Sequence, residues 1–445
     1  MSVTAPFLGM QTTGGWEANQ PLESYREEIL FLDPNGTAPL LGMLSKMGAG
    51  KPLNSGAYHW YTQVMPEQGG TITDVCLDSD FTTYVSGAVA GSILYVRVTA
   101  TPATGVAQVS EFRPDQLVVL RYSLDDTVDV LARVLSIVVN GTSSYVVVKL
   151  VEADDNSARG YNLANADKMY VVGSSHQEGG MPPTGVNYVP TRISSHTMIS
   201  KDTWKISGSA LETELRTAPN RAAIIAQKRQ TCRMLHFNEM EGACFFNKYG
   251  EETAGDGSSI WKFMGIFEFV KTYASSNIDN FRYNAAYSTL SWTEGGEDWI
   301  NTALNANFKY KARDMITPPD RIGFTGLDGL QALNNLALAA GQPRLEPKQK
   351  AWGIQVVEWY TSGGMVYVMV HPRFNQNVTL NRTLVVFHPS LVKYVYLRNR
   401  DTKRTDVTPV GFDGVMEQYQ TEWGIELYHA PMFSILSGLG QDSLV

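Results

Sequence analysis

The spacing of apolar positions changes register several times along the chain. Between Val75 and Gly180, apolar and polar residues alternate in short runs: Ile93–Thr99 (ILYVRVT), Gln116–Tyr122 (QLVVLRY), Val128–Val139 (VDVLARVLSIVV) and Tyr145–Glu152 (YVVVKLVE). A period of two is the signature of a half-buried strand. Asn140-Gly141 separates the last two runs, and Asn-Gly suits a hairpin turn because both central residues need positive φ. These runs predict a small β-barrel or sandwich over 75–180. Two extended segments flank it, Ala57–Asp74 (AYHWYTQVMPEQGGTITD) and Pro182–Thr203 (PPTGVNYVPTRISSHTMISKDT). At ~3.3 Å per residue, a fully extended segment of about 18 residues reaches roughly 60 Å, far beyond an ordinary strand. The two segments therefore read as a two-stranded arm too long to pack on its own domain, with the β module inserted at its middle.

The period then lengthens to that of a helix. Ser209-Ala-Leu-Glu212 has capping-box spacing, and Leu211, Leu215, Ala218, Ala222 and Ile225 follow on one face, continued by Cys232, Leu235 and Ala243. This predicts a single long helix over about 209–249, kinked near Leu215 by Pro219. Upstream, residues 1–56 form an arm with one helical candidate, Thr37–Met47, whose Leu40, Leu41, Met43, Leu44 and Met47 need a surface to cover them. Downstream, Glu294–Lys311 and Gly326–Ala340 read as helices. Ile354–Trp359, Met365–His371, Thr383–His388 and Leu391–Arg398 read as strands, with two more within Met416–Leu436. Mixed strands and helices with several hairpins predict an α+β fold with helices on the sheet faces.

Composition narrows the function. The chain has 445 residues, 43% hydrophobic and 18% charged. Charged residues are fewer than the typical ~25%, which favours a surface largely covered by partners. A net charge of −8 excludes wholesale coating of nucleic acid, which needs an excess of Lys and Arg. The first 20 residues contain no Lys or Arg and no sustained apolar stretch, so no secretory signal is read there. Three cysteines without CxxC spacing read as reduced thiols of a cytoplasmic protein.

Catalytic and ligand motifs are weak or absent. Gly48-Ala-Gly50-Lys51 fails the phosphate-loop spacing, because Ser45 stands at the first glycine position and Pro52 where a Ser or Thr must reach the metal. The histidines at 59, 176, 196, 236, 371, 388 and 429 show no paired metal spacing. Asp125-Asp126 and Asp154-Asp155 lack the alternate carboxylates and central glycine of a calcium loop, so they read as solvated turns. The expectation is no catalytic residue, no cofactor and no metal.

The order of these elements resembles the major capsid (coat) protein of tailed double-stranded DNA bacteriophages, the Hong Kong-phage-type fold shared with herpesviral and encapsulin shells. The resemblance is carried by Ser194–Leu215 (SSHTMISKDTWKISGSALETEL), like that family's returning extended loop entering its spine helix, and by Val356–His371, Leu384–Arg398 and Gly411–Leu427, like its closing strand–turn–strand run. It implies an N-terminal arm over 1–56, an extended loop over 57–74 and 181–203, and an inserted β domain over 75–180. A peripheral domain with the spine helix would cover 204–290 and 398–445, and an axial domain 291–397. It also implies a shell subunit forming hexamers and pentamers of an icosahedral head around DNA held without sequence-specific binding, with no membrane. A separate scaffolding protein, a portal and a decoration protein would be partners. No Lys lies within Pro52–Val148 or Met169–Ser200, so the lysine–asparagine isopeptide weld of some relatives is not expected. Two other readings fit parts of the chain: a decoration or receptor-binding virion protein, which the β module suggests, and an encapsulin-type compartment. In the capsid reading, the arm residues Tyr58, Trp60, Tyr188, Ile193, Met198 and Ile199 are the expected intersubunit contacts.

Overall fold

The computed structural model describes residues 38–46, 50–63, 68–85, 87–98, 108–140, 144–154, 163–176, 178–179, 189–213, 215, 220–310, 320–339, 348–349 and 355–445. The N-terminal helical candidate is helix α1 (Pro39–Lys46), followed by strands β1 (Lys51–Leu53) and β2 (Ala57–Thr62). Leu40, Met43 and Leu44, spaced three and four apart, are buried in the main core of their own chain. The surface that covers this helix is the body of the same subunit.

Strands β3 (Gly69–Cys76), β4 (Ile93–Val98), β5 (Gln116–Tyr122), β6 (Asp125–Val138), β7 (Tyr145–Leu150) and β8 (Lys168–Ser174) close into a barrel in the order β3-β4-β7-β6-β5-β8. The alternation seen in the sequence points inward: Leu94, Val96, Val98, Val118, Leu120, Val130, Ala132, Val134, Val146 and Val148 fill the interior. Register shifts in the β3–β4, β5–β6, β5–β8 and β6–β7 pairs supply the extra bend that closing a small sheet requires.

Strand β9 (Thr191–His196) pairs antiparallel with β2, from Ala57↔His196 to Thr62↔Thr191. All the barrel strands lie between these two in the sequence. The arm is shorter than expected, however. Gly69–Asp74 belongs to barrel strand β3, and Met198–Thr203 belongs to strand β10 (Met198–Ser207) of another sheet. An extended stretch of sequence does not reveal which sheet each part will join, so one long arm was read where three structures share the residues.

The expected single helix is two. Helix α2 (Gly208–Glu212) is capped by Ser207, whose hydroxyl accepts from the Ala210 amide, so the cap lies two residues before Ser209. Helix α3 (Arg221–Phe246) starts afresh after Pro219, with Asn220 extended and its side chain accepting from the Ala223 amide. A new N-cap satisfies the freed amides better than a kink would. The 26 residues of α3 span about 39 Å at ~1.5 Å each. Its buried face carries Ile224, Cys232, His236, Met240 and Cys244 at multiples of four, while Leu235 is exposed. The polar His236 holds a face position that hydrophobic counting assigned to Leu235.

After α3 come a short hairpin, β11 (Gly250–Thr253) and β12 (Ser259–Lys262), then helix α4 (Ile266–Tyr273) and strand β13 (Ile278–Asn280). Gly265 caps α4 where the chain presses on the end of α3. A Cβ there would lie 2.8–2.9 Å from the Asn247 amide and carbonyl and the Phe245 carbonyl. All three are backbone atoms and cannot swing aside. Gly265→Ala is expected to cost ~1–3 kcal/mol, read as a lower urea midpoint at unchanged m-value.

The C-terminal half contains helix α5 (Trp292–Lys309), strand β14 (Arg321–Thr325), helix α6 (Leu327–Ala339), and strands β15 (Lys348–Gln349), β16 (Gln355–Thr361), β17 (Gly364–Val370), β18 (Thr383–Phe387), β19 (Val392–Leu397), β20 (Lys403–Asp406), β21 (Gly414–Leu427) and β22 (Ser434–Ser437). Among the described residues a seven-stranded mixed sheet runs β13-β22-β18-β14-β17-β16-β15, and a five-stranded sheet runs β1-β19-β21-β10 with β20 also on β21. The larger sheet is covered on both faces. Val366, Val368, Leu384 and Val386 pack with Trp299, Ile300, Leu304 and Leu333 of α5 and α6. Ile322, Phe324, Tyr367, Met369, Val385 and Phe387 pack with Phe245 of α3 and Phe269 of α4.

Candidate assembly surfaces and the buried contacts that hold them

The root of the arm is fixed by an aromatic joint. Tyr58 and Trp60 on β2 stack at 5.9 Å between ring centroids, and Tyr428 meets Trp60 edge-on at 6.4 Å. The Tyr58 hydroxyl donates to the Ile425 carbonyl at 2.9 Å. Gly424 makes this possible, since a Cβ there would sit 2.4 Å from that hydroxyl. Burial pushes the Tyr58 phenol well above its ordinary range.

The residues of the expected contact set fall into three environments. Tyr58, Trp60 and Ile193 are only 3–6% exposed and belong to the main core of their own chain. Within the chain they pack on the sheet of β21 and not beneath the barrel. Met198 is partly buried against the same core, its sulfur accepting from Asn247 Nδ2 at 3.5 Å. Ile199 is 49% exposed and keeps an outward side chain. Tyr188 lies outside the described residues.

A second joint holds the N-terminal helix. Glu241 of α3 is buried, and its two carboxylate oxygens accept the Leu40 and Leu41 amides at 2.7 and 2.9 Å. His371 Nε2, also buried, lies 3.0 Å from Glu241 Oε1. Free amides at a helix start attract an anion, so α3 carries the carboxylate that caps α1.

A third cluster has the connectivity of a hydroxyl–imidazole–carboxylate relay. His236 Nδ1 is 2.5 Å from Asp202 Oδ2, its Nε2 is 2.8 Å from Thr421 Oγ1, and Thr421 Oγ1 is 2.9 Å from Thr402 Oγ1. Thr421 and His236 are fully buried, so no substrate reaches the hydroxyl. Burial, and then Asp202, raise the neighbouring Glu239 carboxyl. The relay ties α3, β10 and β21 together. Among the described residues no three His, Cys, Asp or Glu side chains gather as metal ligands, and no helix is long and apolar enough to cross a membrane.

Arg321, the first residue of central strand β14, is also buried. Its Nε donates to Asn307 Oδ1 at 2.8 Å, and its guanidinium lies over the Phe308 ring at 4.9 Å. Burial brings its pKa down to about 10. Burial, and then the Arg321 charge, lower nearby His388 to about 4. A histidine held neutral in the fold binds a proton more readily when unfolded, so stability falls as the pH drops from about 6.5 towards 4. Melting curves across that range should show a shallower decline for His388→Gln than for the unaltered chain.

A family model described as SU10 major capsid protein matches residues 9–440. The chain belongs to the SU10 major capsid protein family. The major capsid protein of Pseudomonas phage PaMx41 is 21% identical over 436 residues, spanning 94% of this chain and 92% of that one. Among solved structures, the capsid of a native GTA particle superimposes with a TM-score of 0.42 at 10% identity over 96% of this chain and 97% of that one. The holo-SrpI encapsulin of Synechococcus elongatus PCC 7942 gives 0.40 at 9% identity over 57% and 78%. This is a major capsid protein, a structural subunit whose many copies build a phage shell. The buried joints at Tyr58, Glu241 and His236 tie β2, α1 and β10 to the body of this capsid protein.

Proposed function

We propose that this capsid protein closes into an icosahedral head through hexamers and pentamers, enclosing double-stranded DNA without reading its sequence. It would assemble in the host bacterial cytoplasm around a separate scaffolding protein, with a portal and a decoration protein added to the shell. The observation that carries this reading is the family match across residues 9–440, which spans the arm, the barrel and both sheets. Heterologous contacts that close by rotation make rings, and an arm fixed at its root but carrying a barrel at its far end can serve rings of two sizes. In this reading the chain turns over no substrate, and its buried relay is structural.

Negative-stain electron microscopy of the protein, expressed alone and with the genes beside it, tests the proposal. Closed shells, tubes or hexameric rings support it. Uniform small oligomers under both conditions refute it in favour of a decoration or receptor-binding role, and shells holding a cargo enzyme in place of DNA refute it in favour of a compartment.

A further inference from the structure

The sheet formed by β10, β21 and β20 has one covered face and one bare face. Trp204, Glu417, Tyr419 and Thr421 point towards α3 and are buried. Cross-strand register places the others opposite: Lys201↔Gln420↔Lys403, Thr203↔Gln418↔Thr405 and Lys205↔Met416. Lys201, Thr203, Lys205, Lys403 and Thr405 are exposed. The carboxylate that shares this face in register, Glu422 opposite Ile199, is engaged by Arg400 at 2.5 Å. None of the three lysines has an ion-pair partner among the described residues.

The opposite charge sits at the other end of the same strand. The β11–β12 hairpin is anchored beside the start of β10, with Trp261 stacked on His196 at 3.8 Å. It exposes Glu251, Glu252 and Asp256. Lys262 pairs with Glu252 at 2.5 Å, which leaves Glu251 and Asp256 without an ion pair among the described residues. Along β10 from Met198, Lys201 lies about 10 Å and Lys205 about 24 Å away at ~3.4 Å per residue. Each subunit thus carries a basic patch and an acidic projection displaced along one axis. The basic patch of one copy can therefore receive the acidic projection of another, a contact that generates rings when it runs head to tail.

We infer that the bare Lys201–Lys205–Lys403 sheet face docks the acidic β11–β12 hairpin of a second copy. This rests on the shell reading above and names a surface for it. The test reverses charge on each side separately, as K201E/K205E/K403E and as E251K/E252K/D256K, and then in one chain carrying all six changes. Each triple variant alone should lower the yield of sedimenting particles at least tenfold while its unassembled melting curve stays unchanged. The six-fold variant should recover most of the yield, and the two triple variants mixed should associate in sedimentation velocity where neither self-associates. Unchanged yield in the lysine variant would overturn the inference, as would failure of both the six-fold chain and the mixture. If the unaltered chain forms no shell at all, the shell reading fails, and salt-sensitive association of the mixed variants still decides this contact. Binding of duplex DNA lost with K201E/K205E/K403E, with no effect of the hairpin changes, would assign the face to nucleic acid instead.

Discussion

Glu241→Ala is expected to lower stability by ~3–5 kcal/mol, the usual cost of removing one partner from a buried ionic contact. The substitution leaves the amides of Leu40 and Leu41 and the Nε2 of His371 without the acceptor they share. It should also free α1. Burying Leu40, Met43 and Leu44 contributes about 5–9 kcal/mol at ~1.5–3 each, as an upper estimate. Ordering the 8 residues of the helix costs about 8–16 kcal/mol of backbone entropy at ~1–2 each. Apolar burial alone therefore does not hold α1, and the carboxylate tips the balance. Hydrogen exchange should show the α1 amides losing protection in Glu241→Ala while the α5 amides keep theirs. Glu241→Gln should fall between, because a carboxamide offers one acceptor where two amides converge. Unchanged exchange in α1 for Glu241→Ala would show that apolar contacts suffice.

The contrast between what the sequence displays and what it hides follows from the range of the interactions. Barrel strands that bury one face wrote their alternation into the chain, and Gln116–Tyr122 was bounded to the residue. Helix α5 was displaced by only two residues at each end, Trp292–Lys309 in place of Glu294–Lys311. Strand β14, Arg321–Thr325, is buried at every position. A strand covered on both faces has no alternation to read, and this one opens on a buried arginine. The arm was misjudged for a different reason: extended sequence carries no label for its partner strand. Residues that meet at the buried joints are far apart in sequence, Leu40 and Glu241 by 201 positions and Tyr58 and Ile425 by 367. No local spacing encodes such pairs. A mid-helix Glu between Met240 and Gly242 was the one visible hint.

Trp423→Ala should be the most damaging single change to the smaller sheet. Trp423 is fully buried. Its ring meets Phe263 at 4.7 Å and stacks on Tyr394 at 5.8 Å, and its Nε1 donates to Ser200 Oγ at 3.0 Å. Four segments therefore converge on one indole: β21 itself, β19, β10 and the stretch leading into α4. Truncation removes the transfer term, leaves a cavity and strands a hydroxyl, for a loss of ~3–5 kcal/mol. Trp423→Phe should lose less, because a ring remains between Phe263 and Tyr394. Tyr58→Phe, whose hydroxyl bonds to the Ile425 carbonyl and faces Ser195, removes only hydrogen bonding and should cost ~1–2 kcal/mol. Urea unfolding of the three variants separates these outcomes, and particle yield then shows which link matters to the shell. If Tyr58→Phe depresses yield while barely moving the urea midpoint, the arm's direction is set by that hydroxyl on Ile425; if yield follows stability through all three, the joint contributes only by keeping the sheet folded.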